Sequence, residues 1–261
     1  MQSIPPRGTC RKLATSVSAM QPVTLAFWSV FALWWLILAV FYLFPGLDIA
    51  ASRHFFVETV CGTSEPAGTI CGSFPISENQ ALEVLRSFYF YLPVLFGLWV
   101  IYQLILAWSH HGASYDKKRI NRLLAGLVSL IIGPGLMVNE FLKSTSHRPR
   151  PRNTDFFGGD LVFFPAGDFG GACGSNCSFV SGEAAGAGWL FCFALFLIPK
   201  KYRPLFMPLL IAISLTMPVM RLAYGGHYLS DILLGWLSSV VVFLGILTFF
   251  TKTETKPAPP M

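Results

Sequence analysis

Long apolar runs, separated by short polar segments, dominate this chain. Residues 23–44 and 88–108 contain no charged side chain. Each run can cross about 30 Å of hydrocarbon as a helix that rises about 1.5 Å per residue. Further apolar runs follow at 123–142, 184–198, 205–220 and 232–250. The pattern predicts six transmembrane helices, of which the fourth and fifth are the shortest.

Composition supports this interpretation. Hydrophobic residues make up 54% of the 261 residues and charged residues only 12%, too few to cover the surface of a soluble domain of this size. We therefore expect an all-α, polytopic membrane protein whose six helices form a bundle. The expected organisation is a single membrane domain at 23–251, external loops at 45–87, 143–183 and 221–231, and tails at 1–22 and 252–261.

Basic residues predict the orientation of this bundle. If the six spans alternate, most of the 19 lysine and arginine residues fall on the side of both termini, for example Lys117, Arg122 and Lys200. Positively charged loops stay in the cytoplasm, so we expect cytoplasmic termini and a bacterial inner-membrane location. The net charge of +6 is attributed to this topology, and nucleic-acid binding is not expected.

Two pairs of cysteines fall in the predicted external loops. Cys61 and Cys71 belong to the first loop, and Cys173 and Cys177 to the loop at 143–183. Because the periplasm is oxidising, we expect disulfides, with zinc binding as the alternative for the Cys-x3-Cys pair. Pairing within each loop is the simplest connectivity, and a bridge between the loops remains open.

A basic cluster predicts an anion site. Lys143, Arg148 and Arg150 follow the third apolar run directly, on the outer side, where positive charge is unusual. Guanidinium groups match phosphate oxygens two at a time, and a lysine adds a point charge. The alternative is a basic flank that reaches lipid headgroups. The density of the cluster favours phosphate binding.

The fourth apolar run begins with Ser181-Gly182-Glu183. Ser181 can cap the helix, and the free N–H groups of its first turn can bind an anion with the help of the helix dipole. Gly182 lets a phosphate approach the main chain closely. This signal is weak alone, because Ser-Gly caps are common.

The segment between the last two runs contains Arg221, His227 and Asp231. His227 and Asp231 are four residues apart and share a face of a helical turn. Asp231 can then accept the Nδ1 hydrogen of His227 and leave Nε2 as a nucleophile. A buried structural pair is the alternative.

Topology predicts that these motifs meet. Lys143 follows the third span where it leaves the membrane, and Ser181 precedes the fourth span where it re-enters. Arg221 ends the fifth span and Asp231 opens the sixth, again on the external side. Three polar clusters that are distant in the sequence are therefore expected at one membrane face.

The chain contains the motifs Lys/Arg-Pro, Ser-Gly and Arg…His…Asp in that order. Their order resembles the signature of the type 2 phosphatidic acid phosphatase superfamily over about residues 88–250. The resemblance implies a helical-bundle phosphatase without a metal ion or another cofactor. His227 would form a phosphohistidine, with Asp231 orienting it. The phosphoryl oxygens would be held by Lys143, Arg150, Ser181, Gly182 and Arg221, and Arg148 matches the frequent Arg-Pro-Arg-Pro form of the first motif.

Glu183 departs from the family pattern, which has a histidine that protonates the leaving group. Three interpretations remain open: Glu183 is the proton donor in a dry pocket, it orients the substrate or an arginine, or the protein is catalytically weak. His147 in the basic run is a further candidate donor.

The resemblance implies a phosphatase that removes a phosphate monoester from a membrane lipid at the periplasmic face. Lipid A is the preferred substrate by family analogy. The alternatives are phosphatidylglycerol phosphate or undecaprenyl pyrophosphate as substrate, a lipid phosphotransferase, and a non-catalytic lipid-phosphate binder or transporter.

Overall fold

The computed structural model describes residues 22–63, 68–109 and 117–254, so the predicted tails lie almost entirely outside the described residues. Within these ranges the α-helices are α1 Pro22–Leu43, α2 Gly46–Arg53, α3 Gln80–Ser109, α4 Lys117–Leu130, α5 Lys143–Ser146, α6 Gly182–Leu197, α7 Arg203–Ala223 and α8 Leu229–Glu254. Two short strands, β1 Val57–Glu58 and β2 Gly72–Ser73, pair antiparallel. Short 3₁₀ turns lie at Pro75–Glu78, Pro151–Asn153, Asp155–Phe157 and Lys200–Tyr202.

The expected helical membrane architecture is confirmed. In the part of the chain that the structure describes, five helical segments are long and apolar enough to cross a membrane: Pro22–Leu43, Gln80–Ser109, Arg119–Asn153, Lys200–Ala223 and Leu229–Phe250. The remaining apolar run is α6, which has 16 residues. At about 1.5 Å per residue it is about 24 Å long, shorter than the hydrocarbon layer.

Helix α6 lies at the centre of the bundle, packed mainly against α7 and α8. The five residues Ala184 to Gly188 in its first half are small and buried. A β-carbon on Gly188 would lie 2.5 Å from the carbonyl oxygen of Trp236 in α8, so only glycine permits this approach. The close contact fixes the beginning of α6 against the beginning of α8, where two of the predicted motifs lie.

The third span changes its helical form halfway. Helix α4 continues as a π-helix over Ile131–Leu142, which contains Pro134. Proline has no N–H to donate, so a carbonyl about one turn earlier loses its usual donor, and the helix changes form around this position. The Asn139 side chain donates to the carbonyl oxygen of Pro134 at 2.7 Å. The π-helix ends at Leu142, and Lys143 follows it directly at the end of the span.

The segment between α1 and α3 packs on the segment between α5 and α6. Phe56, Phe74 and Phe157 form a buried aromatic cluster with ring centroids 5.3 to 5.5 Å apart. Disulfides join Cys61 to Cys71 and Cys173 to Cys177, so each pair lies within one loop. The loops therefore form an ordered layer over the end of the bundle that carries the motifs.

Candidate active site

Residues from all three predicted motifs line one cavity of about 1200 Å³. It runs between α3, the third span and the beginning of α6. Among the predicted site residues, its walls contain Lys143, Arg150, Gly182, Glu183, Arg221 and His227. Much of the remaining wall is apolar, including Val94, Leu98, Ile101, Leu127 and Ile131. The cavity therefore has a polar region that continues into a hydrophobic one.

Positive charge exceeds negative charge in these walls. The cationic side chains are Arg86, Lys143, Arg150, Arg152 and Arg221, against the carboxylates of Glu83, Glu140 and Glu183. Within the described ranges, no group of three or more His, Cys, Asp or Glu side chains could hold a metal ion. The cations present the donors that an anionic ligand requires.

His227 lies in the turn between α7 and α8 and is 1% exposed. Its Nδ1 is 2.7 Å from the carbonyl oxygen of Ser178. A carbonyl oxygen can only accept, so Nδ1 carries the hydrogen and the neutral ring keeps its lone pair on Nε2. Burial lowers the pKa of His227 to about 3, and Arg221 and Arg150 act in the same direction. The imidazole is therefore neutral near neutral pH, as a nucleophile requires.

Asp231 differs from its predicted role. Its nearer oxygen is 3.9 Å from Nδ1 of His227, too far for a hydrogen bond. That oxygen accepts hydrogen bonds from the Ser178 hydroxyl at 2.5 Å and from the Tyr228 N–H at 2.9 Å. Because the carboxylate is occupied by these donors, it positions the Ser178 segment, and the Ser178 carbonyl in turn orients the imidazole.

Arg148 also differs from its predicted role as a phosphate ligand. Its side chain is fully buried and is not part of the cavity wall. It donates to Asp231 at 2.6 Å, to Asp48 at 2.8 Å, to the Ser230 hydroxyl at 2.9 Å and to the carbonyl oxygen of Phe164 at 2.8 Å. With its donors occupied by two carboxylates, a hydroxyl and a carbonyl, Arg148 has a structural role and is not placed to bind phosphate.

Lys143 and Gly182 lie against each other in the cavity wall. A β-carbon at Gly182 would lie 3.3 Å from the Lys143 Nζ and 2.3 Å from the Asn139 Oδ1. No larger residue fits there without displacing Asn139. The missing side chain keeps the lysine amine beside the first turn of α6, whose N–H groups point along the helix towards its start.

Arg150 is anchored by Asn176 in the same loop. Its Nε donates to the Asn176 carbonyl oxygen at 2.9 Å, and one Nη donates to the Asn176 side chain at 2.6 Å. This contact fixes one edge of the guanidinium group and leaves the group in the cavity wall. The sequence predicted the cation but gave no sign of the residue that orients it.

Glu183 lies between two arginines. Its Oε1 accepts a hydrogen bond from Arg86 at 2.8 Å, and its Oε2 forms an ion pair with the Arg221 Nε at 2.9 Å. Both oxygens therefore face cations, which supports the interpretation that Glu183 orients an arginine. The hydrogen bonds of Arg86 to Glu83, at 2.7 to 3.0 Å, extend the same network.

Two other predicted residues lie beside the cavity without lining it. Ser181 caps α6 by accepting from the Ala184 N–H at 3.3 Å, and its own N–H donates to the Asp231 carbonyl at 3.0 Å. The His147 Nδ1 is 3.0 Å from the carbonyl oxygen of Cys173, and this histidine is not in the cavity wall. His147 is therefore not placed to protonate a leaving group.

The sequence motifs missed three residues of this network. Arg86 could have been noticed as a cation in the first turns of an otherwise apolar helix, and Asp48 as an isolated acid after the first span. Ser178 contributes its main chain to His227, and no sequence pattern identifies such a contact.

Comparison with known proteins places this arrangement in a family. Residues 122–254 match the family model of the PAP2 superfamily. A lipid A 4'-phosphatase of Rhizobium etli is 50% identical over 85% of this chain and 86% of its own. A lipid A 4'-phosphatase of Rhizobium leguminosarum is 49% identical over 84% and 93%, and one of Francisella tularensis subsp. novicida is 31% identical over 81% and 85%.

A solved structure supports the fold. The crystal structure of a transmembrane PAP2-type phosphatidylglycerolphosphate phosphatase from Bacillus subtilis superposes with a TM-score of 0.51. The match covers 88% of this chain and 98% of that one at 16% sequence identity.

Proposed function

Because the chain belongs to the PAP2 superfamily, we propose that it is a membrane phosphatase that hydrolyses a phosphate monoester of lipid A. The family and the relatives assign it to the phosphoric monoester hydrolases. The relatives are named lipid A 4'-phosphatases, so the phosphate at the 4' position is the proposed target.

One observation carries this proposal: the 2.7 Å contact between His227 Nδ1 and the Ser178 carbonyl. It leaves the Nε2 lone pair of a neutral imidazole in a cavity wall that also contains Lys143, Arg150 and Arg221. A nucleophile and a set of phosphate-binding cations in one wall are the two components that phosphoryl transfer needs.

In the first chemical step, Nε2 of His227 attacks phosphorus. The N–P bond forms as the bond between phosphorus and the sugar oxygen breaks, and a proton from water neutralises the leaving oxygen. Lys143, Arg150 and Arg221 stabilise the charge that develops on the phosphoryl oxygens. In the second step the hydroxide left by that water attacks phosphorus, the N–P bond breaks with its electron pair returning to Nε2, and inorganic phosphate leaves.

Glu183 orients the arginines in this mechanism. Its two oxygens accept from Arg86 and pair with Arg221, so it presents acceptors to the cavity and no proton donor. The carboxylate holds the Arg221 guanidinium in the wall that also contains His227, until the phosphate competes for the same guanidinium.

The amphipathic cavity fits a lipid with a phosphorylated headgroup. The cations bind the phosphate, while the apolar wall between α3 and the third span accommodates acyl chains. The excess of basic residues on the side of the termini supports cytoplasmic termini, an inner-membrane location and a periplasmic active site. Residues 23–251 would form the membrane domain, with the tails at 1–22 and 252–261 in the cytoplasm.

Phosphate release by the purified protein tests the proposal. We expect turnover of lipid A in detergent that persists with EDTA and is abolished in His227→Ala. Exposed His54→Ala is the matched control and should retain activity. A wild-type protein that binds lipid A without releasing phosphate would instead favour a non-catalytic binder.

Mass spectrometry of lipids from a strain that lacks the gene identifies the substrate. Retention of the 4'-phosphate on lipid A, reversed by the wild-type gene but not by the His227→Ala gene, is the expected result. Retention of phosphate on phosphatidylglycerol phosphate or undecaprenyl pyrophosphate would instead name a different lipid. A phosphorylated acceptor alcohol in place of inorganic phosphate would indicate phosphotransfer.

A further inference from the structure

Asp48 is a fully buried acid in α2, within the first external loop. Its carboxylate accepts hydrogen bonds from Arg148 at 2.8 Å, from the Ser230 N–H at 2.8 Å and from the Ser230 hydroxyl at 2.6 Å. Residues 122–254 match the family model, so Asp48 lies outside the matched region. The first external loop thus contributes a buried acid to the contacts beside Asp231.

Asp48 caps helix α8, which is distant in the sequence, through its contact with Ser230. Helix α8 begins at Leu229, so the Ser230 N–H is one of the first-turn donors that have no partner within the helix. A carboxylate at this end also interacts favourably with the helix dipole. Asp48 therefore fixes the start of α8 immediately before Asp231.

Arg148 connects Asp48 to the residues around His227. Its side chain bonds Asp48 and Asp231, and its carbonyl oxygen accepts from the Ser178 N–H at 2.8 Å. Arg148 thus reaches Ser178 directly and also through Asp231, which accepts from the Ser178 hydroxyl. The Ser178 carbonyl then accepts the Nδ1 hydrogen of His227.

Loss of Asp48 should disturb this chain of contacts because Asp48 belongs to a buried ion pair. Arg148 has no exposure to solvent and is paired with two carboxylates. Removal of one partner from a buried ion pair leaves the other charge incompletely compensated, and the remaining groups shift to restore contacts. Here the remaining partner is Asp231, whose position determines that of Ser178.

We propose that Asp48 is a positioning residue for phosphoryl transfer. Through Arg148 and Ser230, it keeps the Ser178 carbonyl and the His227 imidazole in hydrogen-bonding position. The inference depends on the proposed phosphatase function. Asp48 is fully buried and is not part of the cavity wall, so its loss should act on the transition-state geometry and leave substrate binding largely intact. Misplacement of a reacting group by about 1 Å can cost about 100-fold in rate.

Steady-state kinetics of Asp48→Asn with lipid A and inhibition by orthovanadate test the proposal. Vanadate adopts five-coordinate geometry at phosphate sites, so its inhibition constant reports transition-state complementarity. We expect kcat to fall about 10- to 100-fold, KM to stay within about threefold, and the vanadate inhibition constant to rise about 10-fold or more. Asp160→Asn, an exposed acid of another external loop, is the control and should match the wild type.

The inhibition constant separates positioning from poor folding. A preparation that is partly misfolded loses kcat but keeps the vanadate constant of its active fraction, and that result would overturn the proposal. Unchanged kcat in Asp48→Asn would also overturn it. In Asp48→Asn/Arg148→Gln, the loss of activity should be smaller than the product of the two single losses, because the variants share one route. Fully multiplicative losses would show that Asp48 does not act through Arg148.

Ser230→Ala tests the same contact if Asp48→Asn does not fold. It removes one donor to Asp48 and one acceptor of Arg148 and keeps every charge. We expect kcat to fall about threefold to tenfold with a raised vanadate constant. Wild-type values for both constants would contradict the proposal. A wild-type protein without turnover would refute the proposed function itself, independently of Asp48.

Discussion

The imidazole of His227 is held by the main chain of Ser178, with 2.7 Å between Nδ1 and the carbonyl oxygen. A main-chain carbonyl does not titrate, so this contact keeps the same polarity over a wide pH range. The direction of the imidazole consequently depends on where the Ser178 segment lies. Four predictions follow from how that segment and the neighbouring charges are held in place.

Loss of the Ser178 hydroxyl should slow catalysis. The hydroxyl donates to Asp231 in a fully buried position, and a hydrogen bond to a charged group contributes about 1.5–3 kcal/mol. We expect Ser178→Ala to lower kcat about 10-fold with little change in KM, measured by phosphate release. Exposed Ser175→Ala in the same loop is the control, and equal kcat in the two variants would contradict the role of Ser178.

Acid should destabilise the protein partly through His227. Its pKa is about 3 when folded and about 6.5 when unfolded, so the unfolded state binds the additional proton between these values. Stability from this group is complete above pH 6.5 and declines towards pH 3, by about 2 kcal/mol at pH 5. We expect the Tm to fall more from pH 7.5 to pH 5 in the wild type than in His227→Gln. An identical decrease in both proteins would show that His227 does not contribute.

Glu183→Gln should impair all substrates to a similar degree. Loss of the carboxylate charge weakens the hold on Arg86 and Arg221, and Arg221 acts on the phosphate whatever the leaving group is. We expect kcat/KM to fall about 10-fold for both lipid A and an aryl phosphate with a good leaving group. Exposed Glu78→Gln is the control. A loss confined to the poor leaving group would restore Glu183 as the proton donor.

Reduction of the Cys173–Cys177 disulfide should lower activity. Cys177 directly precedes Ser178, and the disulfide loop includes Asn176, which anchors Arg150. We expect Cys173→Ser/Cys177→Ser to lose about threefold to 10-fold in kcat/KM, because added mobility moves both the cation and the carbonyl. Cys61→Ser/Cys71→Ser is the comparison and should change activity less, because none of the described residues from Cys61 to Cys71 lies in the cavity wall, whereas Asn176 does. The reverse order would contradict this assignment.

Local patterns in the sequence were sufficient for the architecture and for much of the cavity. Charge-free runs of about 20 residues have few alternatives to membrane helices, and alternating spans bring Lys143, Arg221 and His227 to the same end. The structure places these three side chains around one cavity. Such features depend on span length and parity, which can be read directly from the order of residues.

The contacts within the site depend on distant parts of the chain and could not be predicted. Arg148 has the spacing of a phosphate ligand. It is instead held in a buried position by Asp231 and by Asp48, which lies 100 residues earlier. Asp231 is four residues from His227, yet the Ser178 carbonyl takes the expected position of its carboxylate. Sequence spacing limits which residues can meet, whereas competition among donors and acceptors decides which do.

Detection of the covalent intermediate tests the central claim most directly. Wild-type protein should be mixed with lipid A, quenched in alkali, which preserves phosphohistidine, and sequenced by mass spectrometry. We predict a phosphoryl adduct on His227 that is absent from His227→Ala and from reactions without lipid A. An adduct on another residue, or wild-type turnover in His227→Ala, would contradict the assignment of His227 as the nucleophile.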